Sequence, residues 1–169
     1  MFTRAITFAL LLSWLGCTSA QESAVILMQT APISIASYQV SYEPDRSGRS
    51  GLEQIRHSVK LLNSNQKEIV AVRVGLVSFD SFGGLLARSN GYTAQTFRFN
   101  ESSQLQWFHR PYGVQAFQGH GTGIAFVDAV RFSDRTIWRA DINQVVSEIK
   151  ALQRDIRAED LAEKPEPRN

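Results

Sequence analysis

Residues 68–79, Glu-Ile-Val-Ala-Val-Arg-Val-Gly-Leu-Val-Ser-Phe, alternate with a period of two over a full strand length, and no other run constrains the fold as much. Val70, Val72, Val74 and Leu76 fall on one face; Ile69, Ala71, Arg73, Gly75, Val77 and Phe79 fall on the other. Both faces are apolar apart from Arg73, so the strand needs cover on two sides and belongs at the centre of a layered β structure. On this reading a charge at Val72 is severe and the loss of Arg73 is mild.

The chain opens with a single positive charge, Arg4, followed by an apolar run from Ala5 to Leu15 and the small residues Thr18-Ser-Ala20. That order predicts a secretory signal peptide over residues 1–20, because a membrane span needs about 20 apolar residues. The mature chain then starts at Gln21, and the protein is expected to be exported, periplasmic or secreted. Cys17, the single cysteine, follows Trp14-Leu-Gly16, a segment similar to the lipobox of bacterial lipoproteins. That similarity implies a further reading, a lipid-anchored envelope component acylated at Cys17. With cleavage after Ala20 no cysteine remains, so neither disulfides nor thiol chemistry is expected.

About 149 residues remain, one domain by length and large enough for a core without staples. The net charge of the mature chain is about +1 and its basic residues are scattered, which argues against nucleic acid as a partner.

Residues 21–31 read as an N-terminal lead that either pairs as an edge strand or lies loose. Pro32 starts a strand to Tyr42 in which the apolar phase moves from Ile33 and Ile35 to Tyr38, Val40 and Tyr42, so a bulge is expected near Ala36-Ser37. A turn-rich loop, Glu43 to Gly51, follows. Ile55, His57, Val59 and Leu61 alternate with Arg56, Ser58 and Lys60, predicting a strand with one wet face. Asn63 to Lys67 is expected to close it into an antiparallel hairpin with the central strand. Asp80-Ser-Phe-Gly-Gly84 ends that strand in a tight turn. Asn63, Ile69, Val72, Phe79, Asp80 and Gly83 together resemble the pattern of small bacterial extracytoplasmic β-sandwich domains of the FxLYD type. The resemblance covers about 25 residues and implies a fold but no catalytic residues, since that family has no agreed activity.

Short strands are predicted around Phe97-Phe99 and Leu105-Trp107, with Asn100-Glu-Ser102 as a polar turn that also has the form of a glycosylation acceptor. Ile124, Phe126, Val130 and Phe132 are expected on one face of a last long strand. Asp141 then stands at the capping-box spacing from Gln144, and Ile142, Val145, Val146, Ile149, Leu152 and Ile156 form a helical stripe. The expected plan is mainly β. An antiparallel, two-layer, immunoglobulin-like β-sandwich of about seven or eight strands spans residues 32–140, one amphipathic helix over 141–160 packs on it, and 161–169 form a disordered tail.

Motifs that would set a chemistry are absent. Gly119-His-Gly-Thr-Gly123 has no following Lys and leads into a strand, so it reads as a turn with one exposed His. His57, His109 and His120, with Asp80, Asp128 and Asp134, are the right ligand types for a metal, but no pair has ligand spacing, so neither metal nor cofactor is expected. His57 lies on an apolar strand face, where a hydrogen-bonded core histidine is the expectation. Asp128 shares parity with Ile124 and Phe126, and a bulge is expected to turn it outward. No Gly-x-Ser-x-Gly occurs. Phe108 is out of phase with Leu105 and Trp107, and with Tyr112 it flanks His109-Arg-Pro111. Phe108, His109, Arg110 and Tyr112 therefore form the candidate binding patch. The expected function is non-enzymatic: an exported interaction or accessory module whose partner is another extracytoplasmic protein, with membrane contact only if Cys17 is lipidated. The alternative is a small hydrolase or metal-binding protein using Asp128 or His120.

Overall fold

A computed structural model describes residues 22–43, 54–109, 120–152 and 154–161. The chain is mainly β, in two sheets. The larger holds β1 (Glu22–Ile26), β7 (His120–Phe132), β4 (Ile69–Asp80) and β5 (Leu85–Thr93) in that order, with the short β8 (Ile137–Arg139) paired to the far half of β7. The smaller holds β2 (Ser34–Glu43), β3 (Gln54–Leu62) and β6 (Ser102–His109). β1 runs parallel to β7, and the other pairings are antiparallel.

β4 sits between β5 and β7, as its two apolar faces require. Its inward residues Val72, Val74 and Leu76 meet Tyr38, Val40, Ile55, Val59 and Leu61 of the smaller sheet in a shared core. Its outward residues Val77 and Phe79 join Ile124 and Phe126 of β7 in a second core, closed by Val145 and Ile149 of α1 (Ile142–Ala151). Gly75 leaves room for Phe126: a Cβ there would stand 2.2 Å from the ring. A bulge after Ile69 turns that side chain inward, against the strict alternation read from the sequence.

Several expectations need correction. β3 and β4 do not form a hairpin; they lie in different sheets. The buried Asn63 makes the crossing possible: its amide donates to the carbonyls of Phe97 (2.9 Å) and Lys67 (3.1 Å), and its Oδ1 accepts from Asn65 N (2.8 Å). Residues 22–26 of the N-terminal lead pair as an edge strand, the first of the two alternatives that the sequence left open. Phe97 makes an isolated bridge to Ile69 rather than starting a strand. Ile124 and Phe126 face α1, whereas Val130 and Phe132 face the other sheet, because a register shift opposite Arg73/Val74 inserts one residue in β7. The bulge expected near Ala36 is present, between Ile35 and Ser37.

The C-terminal helix is also shorter than its stripe. Asp141 caps α1 by accepting from Asn143 N (2.9 Å) and Gln144 N (3.5 Å), but the helix ends at Ala151 and Leu152 is exposed. The chain leaves the helix where Arg154 donates to Thr122 Oγ1 (2.8 Å) and Glu22 Oε2 (3.2 Å) across β7 and β1. Ile156 and a second short helix, α2 (Ala158–Leu161), then plug the same core, so Leu161 is buried rather than part of a tail.

Candidate functional site

Of the four patch residues, Phe108 and His109 are described, while Arg110 and Tyr112 lie outside the described residues. Both described residues end β6, an edge strand bonded to β3. Alternation places Leu105, Trp107 and His109 toward the core and Phe108 outward, opposite Arg56. Phe108 is 52% exposed, and its neighbours on that face are Gln104, Gln106, Ser58 and Lys60. Gln104 donates to Ser58 Oγ at 3.0 Å, which holds this polar face flat beside the phenyl ring.

Behind the patch His57 lies within electrostatic range of both His109 and His120, a convergence their sequence spacing does not reveal. His57 is buried opposite Trp107, and its Nδ1 shares a hydrogen bond with the Tyr38 hydroxyl at 2.9 Å, with the two rings stacked. Burial, and then the neighbouring His109 and His120, lower the His57 pKa to about 3. Burial alone pushes the Tyr38 phenol upward. His109 is lowered by burial, and so is His120, against a smaller opposing pull from its backbone hydrogen bond. His120 is not the exposed turn residue expected: it opens β7, 7% exposed, and among the described residues its ring finds no hydrogen-bond partner beyond its own backbone. Gly123, three residues further along β7, gives room to Tyr38, whose hydroxyl would stand 2.5 Å from a Cβ there.

The three aspartates bond elsewhere, although Asp80 stands across from His120 in the β4–β7 register. Asp80 Oδ1 accepts from Phe82 N (2.8 Å) and Gly84 N (2.7 Å), building the β4–β5 turn. Asp134 accepts from Thr136 N (2.9 Å), the Thr136 hydroxyl and Lys67 Nζ (3.0 Å). These bonds hold its carboxyl well below the usual carboxylate range. Asp128 keeps the parity of Ile124 and Phe126 and stays buried instead of turning into solvent. Arg73 Nε is in direct contact with its Oδ2 and Arg88 Nη2 lies 3.8 Å away, so its charge is neutralised inside the sheet's outward face. Among the described residues no three His, Cys, Asp or Glu side chains are arranged to hold a metal ion.

No protein-family model matches the chain, and no curated protein matches it. Among solved structures it is similar to a hypothetical protein of Peptoclostridium difficile 630, at 9% identity and a TM-score of 0.50, over 72% of this chain and 93% of that one. It is also similar to a structural genomics target at 13% identity and a TM-score of 0.44, over 64% of this chain and 80% of that one. At such identity the first likeness concerns the fold alone.

Proposed function

We propose that this chain is an exported, non-enzymatic interaction module that engages another extracytoplasmic protein through the patch at Phe108 and His109. The observation that carries this reading is the half-exposed Phe108 at the end of an edge strand whose outward face is otherwise mainly polar. Such an edge offers a partner an apolar anchor at the rim of the smaller sheet. The finer fold belongs to the same proposal. β2, β3 and β6 stand where an immunoglobulin-like domain has strands A, B and E, and β8, β7, β4 and β5 stand in the order G, F, C, C′, with the parallel β1 as an addition. Export rests on Arg4, the apolar run and Ser19-Ala20.

A photo-crosslinking residue in place of Phe108 is expected to give one dominant adduct in the native compartment, competed by unlabelled protein. The same label at Lys60, on the same face, is expected to give none; equal labelling from both positions, or none from either, would refute the patch. The mature N-terminus should be Gln21 by mass spectrometry, and an acylated Cys17 would move the protein to the envelope membrane instead. The alternative reading as a metal-binding protein or small hydrolase is favoured by one observation, the buried ring of His120, which among the described residues bonds to no other residue. An elemental scan of the purified protein tests it.

A further inference from the structure

The outward face of the five-stranded sheet is covered by α1 only at one end. At the other end, two cross-strand rows lie open. One runs Tyr92, Arg73, Ala129, Arg139 across β5, β4, β7 and β8, and the next runs Ala71, Arg131, Ile137 across β4, β7 and β8. The two central strands contribute the alanines and the flanking strands contribute Tyr92 and Ile137, both more than half exposed, so the face is concave where a flat sheet would be level. The result is a groove of about 180 Å³ with an apolar floor. Three arginines line it and no acidic residue does. Asp128, at the boundary on the same face, pairs with Arg73 and Arg88, so this carboxylate is already committed. Arg131 and Arg139 are exposed and form no ion pair with an acidic residue among the described residues.

From this we infer a second binding site, independent of the Phe108 patch: the groove takes an extended acidic peptide segment of a partner protein, with one apolar side chain on the alanine floor and carboxylates on Arg131 and Arg139. Charge complementarity selects the occupant. Guanidinium groups pair carboxylates through two parallel N–H donors, and an apolar floor between them rewards an anchor residue flanked by Asp or Glu. An open trough on a sheet face suits a chain segment, whereas a small molecule is held by an enclosing pocket. The chain's own C-terminal sequence, Glu163-Lys-Pro-Glu-Pro-Arg-Asn169, has no apolar anchor to offer.

The test uses the full chain and a fluorescein-labelled peptide, Glu-Glu-Leu-Glu-Glu, in fluorescence anisotropy. Two control peptides replace either the glutamates by Gln or the Leu by Gly. The acidic, anchored peptide is expected to bind about tenfold more tightly than either control, the factor that goes with one charge-assisted hydrogen bond or one buried anchor. Arg131→Gln and Arg139→Gln should each weaken it about tenfold, and Ala71→Leu, which fills the floor, should abolish binding. Added salt should weaken binding, and Phe108→Ser should leave it unchanged, which separates this site from the patch. Thermal melts of each variant show whether the fold is kept. Equal binding of all three peptides, or no effect of the arginine substitutions in folded variants, would overturn the proposal. So would binding confined to phosphatidylglycerol vesicles, which would make the groove a lipid contact.

Discussion

The two halves of one sheet face make the most informative contrast in this molecule. β4 and β7 run through both. In one half Val77, Phe79, Ile124 and Phe126 lie beneath α1 and are fully buried; in the other Ala71, Ala129, Arg131 and Ile137 meet solvent. The same two strands pair in both halves, with one residue of β7 inserted opposite Arg73/Val74 where the halves meet, so the cover follows the side chains that each half presents. The boundary is marked by charge: Asp128 with Arg73 and Arg88 sits at the edge of the helix-covered core. A buried carboxylate is costly without cations beside it, so the ion cluster tells where the apolar layer ends.

Breaking the boundary should have the largest effect. Arg73→Ala leaves the Asp128 carboxylate buried against Arg88 alone, and it is expected to cost roughly 4 kcal/mol in urea unfolding. Arg73→Ala combined with Asp128→Asn should recover part of that loss. This reverses the mild effect expected from the strand pattern alone, and a loss within about 0.5 kcal/mol would show that the pair carries no stability. On the covered side, Ile149→Ala opens a cavity against the second core and should cost roughly 3 kcal/mol. A negligible loss there would mean that α1 is not anchored to the sheet.

What was legible in the sequence follows from the same contrast. Elements whose burial is reported by local spacing were readable: β4 through its two-sided alternation, α1 through Asp141 and the apolar stripe, β3 and β6 through one wet face each, and the core role of His57. β5 was not read at all, because Leu85-Leu-Ala-Arg-Ser-Asn-Gly-Tyr-Thr93 is an edge strand whose polar residues obey no period. The bulge in β7 hid the split of Phe126 from Val130, since one inserted residue inverts parity without changing composition. The partnering of β3 and β4 was misread because adjacency in sequence favours a hairpin, whereas a buried Asn63 redirects the chain. At the candidate site only Phe108's phase was legible. The histidine convergence and the arginine groove join residues from different strands, and a linear spacing carries no trace of such register.

The histidine cluster offers a smaller and pH-tunable effect. His57 takes a proton near pH 6.5 when unfolded but only near pH 3 when folded, so its contribution is fully present above pH 6.5 and is lost as the pH falls toward 3. Between pH 6.5 and 4.5 this amounts to about 2 kcal/mol. His57→Gln retains an acceptor for the Tyr38 hydroxyl and should flatten that part of the stability profile. Chemical unfolding of both proteins across this range is the measurement, and parallel profiles would place the acid sensitivity elsewhere.

The smallest effect is expected in the open half, and it bears most directly on what that half is for. Arg131 and Arg139 are solvated, lie across from Ala71 and Ala129, and touch no buried charge in the way Arg73 does. Exposed guanidinium groups without such a partner contribute little, so Arg131→Gln and Arg139→Gln should each move the unfolding free energy by less than about 0.5 kcal/mol. Arg131 and Arg139 also repel each other and Arg73 weakly across the small apolar floor, so removing either of these two is as free to raise stability as to lower it. That outcome, a surface that costs nothing to neutralise beside a boundary that costs several kcal/mol to disturb, is the one expected of a groove held for recognition instead of for the fold. A loss above about 1 kcal/mol from either variant would instead make the groove a structural extension of the Asp128 cluster.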